Sequence, residues 1–358
     1  MGKASRAVDT FNNARLAASD AYKNAVQAAD INSDFVRSFA PIVKYTGFMN
    51  EFLNYVVNKV VFQAVEARMY QNKFEILKRE GFPLGTDYEY NYINPADTRP
   101  YDIALGDTLL NRKKPDVKTQ YFRRNREDQL WVTIPQPLLQ GAFTRWEQLD
   151  DFITGAIRSL YSGNAIKEQA LIKRLWVDSV NNGYIKTQTI AGYDEAAAPE
   201  ASAKLLTKAA RLLSYNYSFP SANYNNWLAY ATDQGIEDDT PAITWVEDND
   251  IVAFIRSSAL VNAEVESLAA AFNLTLADFR SRVIPVDSFS YNLNGETVAA
   301  DKLIGIVCDR KAFEYRDNLT QASDFFNAAG LYRNHYLTVF QTYGVNMCAN
   351  AVALVEPE

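Results

Sequence analysis

The chain has 358 residues, 48% of them hydrophobic and 22% charged, a globular composition with room for two or three cores. A formal net charge of −7 argues against a dedicated nucleic-acid binder, which needs clustered Lys and Arg to release counterions. A single histidine, His335, and two cysteines, Cys308 and Cys348, without metal or redox spacing argue against a zinc site and thiol chemistry.

Residues 4 to about 30 are polar and Ala-rich and favour helix. Val8, Phe11, Tyr22 and Val26 give only a thin apolar stripe, so this helix needs a partner surface. The first residues lack the apolar core of a secretory signal, and no run of 18 apolar residues is present to span a membrane. Over 42–80, Phe48, Phe52, Val56, Val60 and Phe62 recur at helical spacing, although the valine pairs also suit a strand. Gly81, Pro83 and Gly85 interrupt that pattern.

YEYNYIN (88–94) and LWVTIP (130–135) alternate as strands. Between them lies a polar, basic stretch with little apolar periodicity, and 82–135 as a whole reads as a long projecting hairpin. Thr144 and Glu147 form a capping box ahead of Leu149, Ile153, Ile157 and Leu160. The pattern breaks at Ser162-Gly163 and resumes at Ile166, Leu171, Leu175 and Val180. This predicts about 36 residues of helix with a break, ending before Gly183.

A strand is expected over 184–190, a linker over 194–203 and a helix over 203–214. Strands follow near 243–246 and 251–255, helices over 263–272 and after Thr275, and strands at 282–286 and 303–307. The chain closes on further apolar, aromatic-rich strand-like runs. Helices and strands mix without strict alternation, which predicts an α+β fold with both cysteines in its core. The 21 tyrosines and 20 phenylalanines suit cores and large interfaces alike.

Phosphate-binding glycine loops, the nucleophile elbow and paired zinc-binding histidines are all missing from the sequence. His335 lies in an alternating strand-like run, a structural position rather than a catalytic one. What the sequence does present is charge. Arg112, Lys113, Lys114, Lys118, Arg123, Arg124 and Arg126 surround Tyr121 and Phe122, opposed only by Asp116. Asp233, Glu237, Asp238, Asp239, Glu247, Asp248 and Asp250 form an acidic counterpart. The basic run suits single-stranded nucleic acid or the acidic region of another copy. In the second case, exposed ion pairs of about 0–1 kcal/mol each would select register more than add affinity.

EFLNYVVNKV (51–60), KPDVKTQYFRRNREDQLWVTI (114–134), LDDFITGAIRSLYSGN (149–164), LAAAFNLTLADFRSRVIPVDSF (268–289) and VFQTYGVNMCANAVAL (339–354) occur in an informative order. Together they resemble the major capsid proteins of tailed bacteriophages with the fold first described for phage HK-97. The nearest group is the short-tailed, phi-29-like phages of Gram-positive hosts. The resemblance implies an N-terminal arm with first helices (1–81) and an extended two-stranded loop (82–135). It also implies a peripheral domain with a spine helix (136–195 and 331–358) and an axial domain (196–330).

By the same resemblance the chain would be a non-enzymatic shell subunit without cofactors, in the virion and, during assembly, in the host cytoplasm. It would form pentamers and hexamers around double-stranded DNA, with scaffolding, portal and decoration or head-fibre proteins as partners and no membrane. Arg112, Lys113, Lys114, Lys118, Tyr121, Arg123, Arg124 and Arg126 would then contact a neighbour's acidic loop. The 1–45 stretch is short for a built-in scaffold, so a separate scaffolding protein is expected. The cross-linking constellation of some relatives does not map here, although Lys113 and Lys114 lie in the corresponding loop. The alternatives are a nanocompartment shell protein of the same fold, a nucleic-acid-binding module using the basic hairpin, and a hydrolase or transferase of unknown type.

Overall fold

The computed structural model describes residues 3–33, 35–52, 55, 70, 72–85, 87–98, 112–135, 146–237, 240–262, 282–293 and 295–357. The expected capping box at Thr144, the helices over 263–281 and the positions of Val56, Val60 and Phe62 lie outside them. The chain divides into two compact units. One comprises 1–72, 127–168 and 319–340, and the other 73–126, 169–318 and 341–358.

In the first unit, α1 (Lys3–Ala17), α2 (Asp20–Ala25) and α3 (Phe35–Lys44) form a helical cluster. The stretch expected as one helix is broken at 18–19 into α1 and α2, and its thin stripe finds its partner in the chain itself: Val8, Phe11, Tyr22 and Val26 are buried with Phe39, Ile42, Met49 and Phe52. The rings of Phe39 and Phe52 meet edge-on at 5.3 Å, a favoured aromatic geometry. Polar side chains fix the connections. Asn12 donates to the Ala29 carbonyl at 2.7 Å and accepts from the Ala29 N–H at 2.9 Å. Ser19 caps α2 while its own N–H and hydroxyl donate to Glu51 at 2.8 and 2.9 Å.

Helix α4 runs unbroken over Trp146–Asn181, so the break expected at Ser162-Gly163 does not occur. Within the first unit, a Cβ on Gly163 would stand 3.2 Å from Leu130 Cδ2. The glycine leaves room for a neighbouring side chain and does not end the helix. Leu130 and Val132 of β4 (Arg126–Pro135) pack with Leu160, Leu337 and Val339.

The second unit has three layers. Its sheet contains β5 (Lys186–Thr189), β6 (Ile251–Arg256), β7 (Val283–Val286), β10 (Leu303–Asp309) and β13 (Ala351–Val355), in the order β5-β13-β10-β6-β7. Strand β10 pairs antiparallel with both β13 and β6. All seven of its residues are buried, as expected of a central strand covered on both faces. One face packs on Trp176 of α4 with Phe74, Phe289 and Phe313. The other packs on Leu206, Ala210, Leu213 and Tyr217 of α5 (Pro199–Tyr217). Cys308 and Cys348 are buried free thiols.

The expected linker is shorter than predicted. Asp194 accepts from the N–H groups of Ala196 and Ala197 at 3.0 and 2.8 Å, and α5 starts at Pro199, where no N–H is needed. The expected strand at 243–246 is reduced to a single bridge, Ser221 with Thr244. The remaining elements are α6 (Trp227–Asp233), α7 (Ser257–Asn262) and the strands β1 (Lys78–Arg79), β2 (Tyr88–Ile93), β3 (Val117–Phe122), β8 (Tyr291–Leu293), β9 (Glu296–Val298), β11 (Phe313–Asn327) and β12 (Tyr332–Val345).

The predicted hairpin pairs differently from the sequence expectation. Strand β2 pairs antiparallel with β3, from Tyr88↔Phe122 to Ile93↔Val117, whereas β4 pairs with β12. The basic stretch supplies a strand, because VKTQYF alternates as well as the two runs that flank it.

Candidate functional site

Strand alternation sorts the basic run into two sets. Lys118, Gln120 and Phe122 point inward, while Val117 and Tyr121 are exposed and Thr119 is half-buried. Lys118 is 0% exposed. Its ammonium lies 2.9 Å from Asp116, donates to the Thr240 hydroxyl and sits 5.8 Å from the Trp227 ring centroid. Arg126 is 4% exposed and donates to the Gln341 side chain. Lys118 and Arg126 are therefore anchors within the chain, which corrects their expected place in an outward contact set. A buried charge needs a local partner, and both have one.

Arg112, Lys113, Lys114, Tyr121, Arg123 and Arg124 are exposed. Lys113 pairs with Asp97 at 2.6 Å and Arg123 with Asp87 at 2.8 Å. Asp233, Glu237, Glu247 and Asp248 are exposed, and Asp250 is half-buried, 4.0 Å from Lys311. Asp238 and Asp239 lie outside the described residues.

The end of the β2–β3 ribbon that leads into its connecting stretch is tied to the end of this acidic loop in the same chain. Asn94 donates to Asp116 at 2.6 Å and to the Pro241 carbonyl at 2.9 Å, and it accepts from the Ile243 N–H at 2.9 Å. Tyr92 donates to the Ile243 carbonyl. Burial by itself would raise the Asp116 carboxyl, but hydrogen bonds from Lys118 and Asn94, the Lys118 charge and Thr240 hold it below its usual range. Sequence reasoning did not single out Gln120, which clamps the ribbon by donating to the Val345 carbonyl at 3.1 Å and accepting from the Met347 N–H at 3.0 Å. Its signal was its place between Lys118 and Phe122 on one strand face.

Among the described residues, no group of three or more His, Cys, Asp or Glu gathers to hold a metal. His335 is buried with neither ring nitrogen hydrogen-bonded, and burial pushes its pKa down to about 4. An open cleft of about 280 Å³ in the second unit is lined by Asn125, Arg126, Leu171, Arg174, Leu175, Asp178 and Tyr343. Arg174 and Asp178 already pair across one helical turn at 3.2 Å. No described helix is long and apolar enough to cross a membrane.

The described elements include a sheet covered by helices, one 36-residue helix and a two-stranded ribbon. The capsid structure of Staphylococcus phage Andhra superposes with a TM-score of 0.62 at 15% identity, covering 80% of this chain and 85% of that one. A chain from the structure of the head fibre and inner core protein gp22 of bacteriophage P68 gives 0.59 at 15% identity, covering 80% and 84%. The fold is thus the HK97-like capsid fold, α+β in class.

The model of the Phi29-like phage major capsid protein family matches residues 11–355, and the chain belongs to that family. The major capsid protein of Bacillus phage PZA is 26% identical over 349 residues, 97% of this chain and 72% of that protein. The major capsid protein of Streptococcus phage Cp-1 is 24% identical over 345 residues, 94% and 92%. The protein is a structural subunit of the phage head shell, part of the virion, and associates with its own copies. The nanocompartment and nucleic-acid-module alternatives are not favoured.

Proposed function

We propose that copies of this chain form pentamers and hexamers that close into an icosahedral shell around double-stranded DNA, without catalysing a reaction. Assembly takes place in the host cytoplasm with scaffolding and portal proteins, and head-fibre or decoration proteins are further partners. The contact with packaged DNA is non-specific. The observation that carries this reading is the β2–β3 ribbon, whose inward face is locked into its own chain by Lys118 and Gln120 and whose loop-side end is held by Asn94. Its outer residues Tyr121, Arg123 and Arg124, with Arg112, Lys113 and Lys114 leading into it, stay at the surface. A stiff inward face with an exposed charged edge presents a fixed register to a neighbour at low entropic cost.

The test is size-exclusion chromatography with negative-stain electron microscopy of the purified chain, with and without co-expressed scaffolding protein. Closed particles, or rings of five and six subunits, are expected. A monodisperse monomer under both conditions would overturn the proposal. Deleting 112–126 would be a poor probe, because it removes β3 together with buried Lys118 and Gln120.

A further inference from the structure

Helix α5 covers the second unit's sheet with one face and leaves the opposite face bare. On the bare face Lys204, Lys208 and Arg211 follow one another at spacings of four and three residues, so they share a side of the helix. Lys204 and Lys208 make no ion pair among the described residues, and Arg211 lies over the Tyr215 ring, 5.5 Å from its centroid.

Beside this stripe, Leu212 and Tyr215 are exposed, and Phe219, just past the helix end, is 67% exposed. The exit of α5 runs alongside 244–246. The Val246 N–H donates to the Tyr217 carbonyl at 2.8 Å, and Ser221 bridges Thr244. That brings Trp245, 51% exposed, next to Phe219 along the backbone. The acidic residues Glu247 and Asp248 follow immediately. The Asp248 carboxylate accepts from Ser218 at 2.8 Å, and Glu247 pairs with no cation among the described residues.

The surface therefore runs from cations through exposed aromatics to carboxylates, with Arg282 donating to the Asp248 carbonyl at 2.6 Å beside them. Trp, Tyr and Arg gathered at an exposed apolar centre with a charged rim are the composition of an interface hot spot. We propose that this face of α5 and its exit is a contact with a second copy of the chain. There the aromatic centre is buried, and the Lys204–Lys208–Arg211 stripe of one copy faces Glu247 and Asp248 of the next. Charge complementarity selects that occupant: the surface carries both signs, with the exposed carboxylates Glu247 and Asp248 apart from the helix stripe, so it complements itself, whereas DNA would be repelled by those carboxylates. The inference rests on the assembly reading above and adds the surface through which two copies meet.

The test uses the full chain under conditions in which the wild-type chain forms particles. Phe219→Ser with Trp245→Ser is expected to leave the melting temperature unchanged and to lower particle yield about tenfold or more. Lys204→Glu with Lys208→Glu is expected to lower the yield, as is Glu247→Lys with Asp248→Lys, and all four in one chain to restore it. Wild-type particles with an unchanged yield from the Phe219/Trp245 variant would overturn the surface. So would charge reversals that affect only DNA retention or scaffold binding. Absence of particles from the wild-type chain would instead overturn the assembly reading on which the inference stands.

Discussion

His335 lies on the inward face of β12 with both ring nitrogens lacking a hydrogen-bond partner. Burial lowers its pKa to about 4, and Arg333 acts in the same direction while Asp324 opposes. The unfolded chain, with an ordinary histidine near pH 6.5, binds a proton first as pH falls, so stability is intact above about 6.5 and declines toward 4. Unfolding free energies from denaturant titrations at pH 7.5 and pH 5 should differ by about 2 kcal/mol from this group. His335→Leu should remove that part of the slope; an unchanged slope would mean that the ring is not buried neutral. Gly81 tells a different story at the same scale. A Cβ there would lie 1.7 Å from the Asp317 carbonyl oxygen, in the backbone that runs beside it, so the glycine is a close-approach position and more than a helix breaker. Gly81→Ala should cost about 3 kcal/mol or more by thermal melting. Gly47→Ala, with nothing within 4 Å of the added carbon, should cost far less.

At the scale of elements, the ribbon shows what a sequence discloses and what it hides. The strand at 88–93, the closing strands and the long helix follow from alternation and helical periodicity, which are properties of neighbouring residues. The partner of each strand was not legible, because pairing β2 with β3 and β4 with β12 depends on contacts more than 20 residues apart. The continuity of α4 through Gly163 was hidden for the same reason, since the space at Gly163 is filled by Leu130. The basic run was visible as charge, yet only the register could tell Lys118, an anchor, from Tyr121, an exposed neighbour. Lys118→Met tests that division. Asp116 is 39% exposed in its side chain, so the charge left behind is partly solvated and the cost should be about 1–3 kcal/mol, not that of a fully buried pair. Hydrogen exchange should quicken over 88–93 and 117–122 while the five-stranded sheet stays protected. Uniform quickening of both would show that the ribbon is not a separately tied element.

For the whole molecule, a net charge of −7 means that copies repel one another on average, and association depends on where exceptions to that sign are placed. The exposed cations around the ribbon are not equivalent exceptions. Lys113 and Arg123 are matched by Asp97 and Asp87 of their own chain, so little charge remains for a neighbour. Arg112 and Lys114 are exposed without an ion-pair partner among the described residues. If a second copy's carboxylates meet this edge, removing the unmatched pair should weaken assembly more than removing the matched pair. An exposed ion pair contributes about 0–1 kcal/mol, so Arg112→Ser with Lys114→Ser should raise the critical concentration for particle formation up to about tenfold. Lys113→Ser with Arg123→Ser should change it much less. Both differences should shrink at high salt, because screening acts on exposed charges. Equal critical concentrations for the two variants, by light scattering across a protein dilution series, would show that the ribbon's charge does not choose the neighbour.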